Sequence, residues 1–234
     1  MSAHRYAIYA VPPIDHPLWP LACAWLGRDP VPAASLPDGG PAPVSPPDLH
    51  SLEAGRFRVL TRDAARYGFH GTLKAPFRLA VGADAGALIE EAGRFIRRIG
   101  RIRIPLAIAD DLGFTALRPV GTPPVLAELA AAAVRTFEPF RAPLSPAERA
   151  RRLKSPLSPR QCALLDQWGY PYVMDEFRFH MTLADRCDDP SEQAALRQIA
   201  EGHFGPALAR PVPLAVSLFV EPKAGSDFVM VPPL

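Results

Sequence analysis

Two copies of one short string, Phe-His-x-Thr-Leu, constrain what this 234-residue chain can fold into. The first occupies residues 69–73 and the second 179–183, so His70 and His180 stand 110 residues apart. A helical stretch follows each copy. Then come Ile104-Pro105-Leu106-Ala107-Ile108 in one half and Val212-Pro213-Leu214-Ala215-Val216 in the other, offset by 108. The strings FTALRP (114–119) and FVMVPP (228–233) close the two series, offset by 114. The same order of strand, helix, strand, strand at near-constant spacing is the mark of an internal duplication. It predicts one bilobal α+β domain over residues 1–234, with repeat units of about 66–120 and 176–234 and a helical insert of about 122–169.

Local patterns fill in this frame. Residues 5–11 (RYAIYAV) form a strand ended by Pro12-Pro13, and 16–27 a helix. Residues 29–47 (DPVPAASLPDGGPAPVSPP) are an irregular loop, followed by a strand at 68–79. In the helix predicted over 84–99, Leu88, Ala92, Phe95, Ile96 and Ile99 share a face, with Asp84 as cap and Gly100 as stop. Strands at 101–109 and 114–119 precede a core helix opened by Thr122-Pro123. Ser145-Pro146, Ser158-Pro159 and Asp189-Pro190 each pair a capping side chain with proline at the first helical position, with Glu or Gln three residues after the cap. They predict a helical pair between 145 and 169 and a helix over 190–203. Strands at 176–184, 212–220 and 228–231 complete the reading.

Composition prunes the function classes. Lys and Arg number 26 against 24 Asp and Glu, a net charge of +2, and so small an excess argues against long nucleic acid as a partner. No apolar run is long enough to cross a bilayer. Residues 1–19 hold Asp15, His16 and three prolines where a signal peptide needs unbroken apolar chain. Three scattered cysteines (Cys23, Cys162, Cys187) form no C-x-x-C, which favours a reducing cytoplasm. There is no asparagine, no G-x-x-x-x-G-K-[ST], no G-x-G-x-x-G, no G-x-S-x-G and no H-E-x-x-H. Nucleotide-cradling loops, serine-hydrolase elbows and the zinc-peptidase helix therefore have no support.

Residues i and i+2 of a strand point to one face, so His70 shares a face with Thr72, and His180 with Thr182. If the two strands meet across one groove, two imidazoles and two hydroxyls converge. One neutral imidazole accepts the proton of a nucleophile attacking a phosphodiester, and one imidazolium protonates the leaving oxygen. An ordinary histidine pKa near ~6.5 lets both forms exist near neutrality. The threonine hydroxyls donate to the oxygens on which charge builds. Neither a metal nor a cofactor is required, and no Asp or Glu lies at metal-ligand spacing beside either motif.

Paired His-x-Thr motifs on duplicated lobes resemble the two-histidine (2H) phosphoesterase superfamily. Three longer strings, RYAIYAVPP (5–13), RYGFHGTLKAPFRL (66–79) and WGYPYVMDEFRFHMTL (168–183), resemble the phosphonate-metabolism protein family found beside carbon–phosphorus lyase genes. Members of that family often carry alanine where this chain has Gly71. The resemblance implies a metal-independent cyclic phosphodiesterase with two antiparallel sheets flanked by helices around a central groove, acting on a small phosphorylated substrate. Within that setting the candidate substrate is 5-phosphoribosyl 1,2-cyclic phosphate. An RNA or nucleotide 2′,3′-cyclic phosphate phosphodiesterase and a non-catalytic protein binding a phosphorylated ligand are the alternatives.

Two cations extend the motif faces. Lys74, one of only three lysines, follows His70 and Thr72 and is a candidate ligand for a second phosphate. Arg178 precedes His180 and reads either as a phosphate ligand or as the partner of Asp175 or Glu176. Tyr6 and Tyr9 alternate on the first strand, so at most one lines the groove. Arg66 and Tyr67 read as structural. The basic run 149–154 reads as a solvated helix face or a lid over an anion, Cys187 as a free thiol, and His203 as a helix end.

Overall fold

The computed structural model describes residues 4–35, 44–50 and 52–232. Their strands are β1 (Arg5–Val11), β2 (Gly71–Phe77), β3 (Arg101–Ile104), β4 (Leu106–Ala109), β5 (Phe114–Pro119), β6 (Met181–Arg186), β7 (Val212–Glu221) and β8 (Val229–Met230). Their helices are α1 (Leu18–Leu26), α2 (Ala54–Tyr67), α3 (Ala85–Ile99), α4 (Pro124–Thr136), α5 (Pro146–Arg152), α6 (Pro159–Trp168) and α7 (Pro190–Leu208). Of the irregular loop expected over 29–47, residues 36–43 lie outside the described residues.

Helix ends follow the side chains that can satisfy them. Asp84 accepts from Ala87 N at 2.8 Å, and Ser145 and Ser158 each complete a reciprocal capping box with Glu148 and Gln161. Helix α7 starts at its Asp189 cap and runs past the expected end to Leu208, so His203 sits inside it and bonds Leu21 O at 2.9 Å. Helix α2 was not expected. Its apolar side chains Phe57, Leu60 and Ala64 do recur at helical spacing, but its cap is Glu53, outside the usual Ser/Thr/Asp/Asn set.

All strand pairings are antiparallel, in the order β3-β7-β1-β2-β6-β5-β4, with β8 beside β7. The expected two sheets are thus one sheet. Its halves touch at β2 and β6 through a single residue pair, Gly71 with Met181. The strand expected over 101–109 breaks at Pro105, which has no N–H to give a ladder. Its first part pairs with β7 and its second with β5, so the two edges of the sheet are consecutive in the chain. The two closing strings also differ in place: β5 lies beside β6, whereas β8 lies beside β7 and is two residues long. The strand next to β2 is instead β1, which pairs with β7 along its full length.

Strand β1 is buried on both faces. Tyr6, Ile8 and Ala10 enter the larger core with Leu73, Met181 and Leu183, beneath Trp25 and Phe204. Ala7, Tyr9 and Val11 enter a smaller one with Trp19, Phe219 and Phe228. The Trp25 indole donates to Leu183 O at 2.7 Å and fixes α1 over β6.

Gly71 permits the β2–β6 contact. A Cβ there would stand 2.4 Å from Cζ of Phe179, the residue before His180. Gly71→Ala is therefore expected to destabilise the fold by ~1–3 kcal/mol through overpacking, lowering the urea midpoint at an unchanged m-value. A midpoint equal to the parent protein's would show that the ring yields without cost.

Candidate active site

The register that pairs Gly71 with Met181 sets His70 against Thr182 and Thr72 against His180. Phe69, Leu73, Phe179 and Leu183 turn the other way, into the larger core. All four motif side chains line one cavity of about 220 Å³. The strands are brought together, and with them both imidazoles and both hydroxyls.

Each imidazole is anchored identically. His70 Nδ1 donates to Gly68 O at 2.8 Å, and His180 Nδ1 donates to Arg178 O at 2.8 Å. A carbonyl accepts only, so the proton of each neutral ring is held on Nδ1 and Nε2 is left as the basic nitrogen. His70 Nε2 meets Thr72 Oγ1 at 3.1 Å, while among the described residues His180 Nε2 has no protein partner. Gly68 makes the first anchor possible. Its φ of +75° is left-handed, and a Cβ would lie 2.9 Å from Pro30.

Burial disfavours charge on both rings. It pushes His70 down to about 4, opposed by the Gly68 carbonyl and assisted by the nearby His180. The His180 ring is also lowered, first by burial and then by the Arg118 cation, with the Arg178 carbonyl opposing. His70 is therefore neutral at neutral pH.

Of Tyr6 and Tyr9, it is Tyr9 that reaches the groove. Its ring stacks on His70 with centroids 3.8 Å apart, and its hydroxyl is buried with no hydrogen-bond partner. Tyr6 lies on the opposite face. The alternation of β1 presented both candidates, and their different cores decide between them.

Lys74 is not brought to the groove. Tyr9 pairs with Thr72 but Ile8 with Lys74, an irregularity that puts one extra residue into β2 and turns the lysine away. Its ammonium, 4% exposed, donates to Glu138 Oε2 at 2.8 Å and Val134 O at 3.0 Å, so it is already neutralised. Ala75 takes the place on the groove wall. Arg178 stays exposed and lines an adjoining cavity of about 420 Å³ with Phe114, Phe177 and His180. The acids considered as its partners are engaged elsewhere: Asp175 with Arg160, and Glu176 as acceptor from Gln161.

A third cavity, of about 620 Å³, shares Arg5, Tyr67, Arg152 and Tyr170 with the histidine cavity. Tyr67 is thus part of the wall and not only structural. Cys187 is a thiol bonded to Glu192, and burial raises its pKa. Among the described residues no group of three or more His, Cys, Asp or Glu is placed to hold a metal, and no helix is long and apolar enough to cross a membrane.

A family model described as "Protein of unknown function (DUF1045)" matches residues 72–229. The chain belongs to that family. This DUF1045 chain is 39% identical over 229 residues to a protein of Laribacter hongkongensis named "Ribose 1,5-bisphosphate phosphokinase PhnN". It is 37% identical over 234 residues to a protein of the same name from Janthinobacterium sp.. The alignments cover 96% and 97% of this chain but 50% of each relative, so the chain spans about half their length. No solved structure matches.

The lowered His70 pKa has a measurable consequence. Between about 4 and ~6.5 the unfolded chain binds more protons at this site than the folded one, so stability rises with pH across that window. An NMR titration of His70 should show its midpoint near 4, and His70→Gln should flatten that part of the pH–stability curve. A midpoint at or above ~6.5 would contradict the burial of the ring.

Proposed function

We propose that this protein opens a small cyclic phosphodiester to a phosphomonoester, with His70 as general base and His180 as general acid. The carrying observation is the cross-strand quartet, each imidazole opposite the other motif's threonine and locked through Nδ1. This leaves Nε2 as the nitrogen for proton transfer, bonded to the Thr72 hydroxyl in His70 and without a protein partner among the described residues in His180. Neutral His70 takes a proton from the attacking water through Nε2 as the new P–O bond forms. His180, protonated once the phosphate anion is beside it, gives its Nε2 proton to the departing ring oxygen as that P–O bond breaks. The rings end with protonation states exchanged, and solvent resets them. Thr72 and Thr182 donate to the non-bridging oxygens, and the unpartnered Tyr9 hydroxyl supplies a further donor that binding would satisfy.

On this reading the two halves of the chain are a duplicated pair of lobes of the 2H phosphoesterase kind, and the substrate is 5-phosphoribosyl 1,2-cyclic phosphate. The product is then ribose 1,5-bisphosphate, the compound in the relatives' name. This chain has no G-x-x-x-x-G-K-[ST] loop and corresponds to half of those relatives. We assign the phosphokinase activity of their name to their other half, and to this half the step that supplies its substrate, within phosphonate breakdown. A second reading, a nucleotide 2′,3′-cyclic phosphodiesterase, is favoured by the cavity beside His180. Its Phe114, Phe177 and Tyr172 would suit a base.

A panel of small cyclic phosphodiesters scored for monoester release separates these readings. The ribose 1,2-cyclic phosphate bearing a 5-phosphate should be the best substrate, and a preference for nucleoside 2′,3′-cyclic phosphates would favour the second. His70→Ala and His180→Ala should each lower kcat by about 10²- to 10⁴-fold while the protein stays folded. In the parent protein kcat/KM should be bell-shaped, its acid limb near pH 4 from His70 and its alkaline limb below ~6.5 from His180. A folded double variant that still turns over at the parent rate would falsify the assignment.

A further inference from the structure

We infer that Arg152, on the helix α5 that the insert lays beside the groove, is the specificity residue of this site and binds a second anionic group of the substrate. The inference rests on the cyclic phosphodiesterase reading and supplies the subsite that Lys74 leaves unfilled.

Three observations carry it. Arg152 lines the histidine cavity and also the larger cavity of about 620 Å³ beyond it, so its guanidinium stands where the two join. Among the described residues it has no carboxylate partner. Its contact is the face of Tyr170, with the guanidinium carbon 4.9 Å from the ring centroid. Arg149, on the same helix, is by contrast taken up by Asp166 at 2.6 Å.

The surrounding charge points the same way. Four guanidinium groups (Arg5, Arg66, Arg151, Arg152) line the larger cavity against two carboxylates, Glu148 and Glu221. Glu148 is engaged by Arg78, and Glu221 is shared by Arg5 and Arg66. Positive charge is left over, and it lies on α5. The helix is also held still. Arg78 ties Glu148 to the end of β2 with two bonds of 3.2 and 2.8 Å, and Arg149 ties α5 to α6 with two of 2.6 and 2.9 Å. A guanidinium stacked on tyrosine at the end of a pinned helix is pre-organised for the planar, paired acceptors of a phosphate.

A cyclic phosphate held between the histidines would then extend its sugar toward Arg152, with a second phosphate at the junction. The aromatic cavity at the opposite end, beside His180, offers no equivalent: its cation is Arg178, exposed at the rim.

The test compares ribose 1,2-cyclic phosphate with and without a 5-phosphate. The parent protein should prefer the 5-phosphorylated compound, and Arg152→Gln should lower that preference in kcat/KM by about 10- to 100-fold, through KM. Arg94→Gln, on α3 and paired with Glu91 away from both cavities, should retain the full preference. Binding of ribose 5-phosphate, which has no bond to cleave, gives a readout independent of turnover. It should weaken in Arg152→Gln and persist in the His70→Ala/His180→Ala double variant. If neither cyclic compound is hydrolysed but ribose 5-phosphate binding depends on Arg152, the subsite stands and the phosphodiesterase reading fails. An Arg152→Gln protein with the parent preference, or with undiminished ribose 5-phosphate binding, overturns the inference.

Discussion

One cross-strand pair, Gly71 with Met181, joins the two halves of the sheet, and the geometry of the site descends from it. In an antiparallel pair the register at one point dictates the residues on either side. Facing Gly71 with Met181 puts each histidine opposite the other motif's threonine, with all four side chains on one face. A slip of one residue would send the imidazoles into the core and bring Phe69 or Phe179 into the groove. Hydrophobic burial of Leu73, Leu183, Phe69 and Phe179 on the far face, where each is at most 4% exposed, opposes that slip. The face that carries the histidines is thus held by what its back face buries. Gly71 belongs to this constraint, because the Phe179 ring occupies the space a side chain would need.

The second constraint concerns protons. Both rings spend Nδ1 on a backbone carbonyl two residues earlier, an anchor whose acceptor cannot be mutated away by changing a side chain. That leaves Nε2 of each ring as the site of exchange without help from a carboxylate. Identical anchoring does not make the rings equal. His70 is packed against Tyr9, whereas Phe114 meets His180 edge-on and Arg118 adds its charge. Two groups of one chemical type placed in different surroundings are what the proposed division of acid and base roles between the two rings requires.

Much of this was legible in the sequence, and the failures have physical causes. The repeated string and the period-2 rule gave the four motif residues a shared face. The proline-led capping signals located α5, α6 and α7 because such caps are local hydrogen bonds. Helix α2 was missed because its cap is a glutamate, although Phe57, Leu60 and Ala64 carried the helical spacing. Lys74 misled for a different reason. Alternation along a strand holds only while the ladder is regular, and the irregularity opposite Ile8 reverses the lysine toward Glu138, 64 positions away. Pro105 divided one apolar run between the two edges of the sheet, a consequence of tertiary pairing that no local pattern contains.

Charge placement explains how a protein with a net charge of only +2 can present a cationic groove. Most arginines here are answered locally: Arg56 by Glu192, Arg78 by Glu148, Arg160 by Asp175. Near the groove the answer is incomplete by design of the fold, since the buried Glu221 faces both Arg5 and Arg66. Burial opposes its charge, but the two guanidinium groups hold its carboxyl below the ordinary range. One carboxylate shared by two cations leaves a surplus, and the insert adds Arg151 and Arg152 to the same wall. Such a surplus lines a cavity of about 620 Å³, where screening by solvent is weaker than on the open surface. The insert therefore has a role distinct from that of the sheet. On the proposed reading, the sheet fixes where a phosphorus atom reacts, and α5 fixes which molecule brings it there.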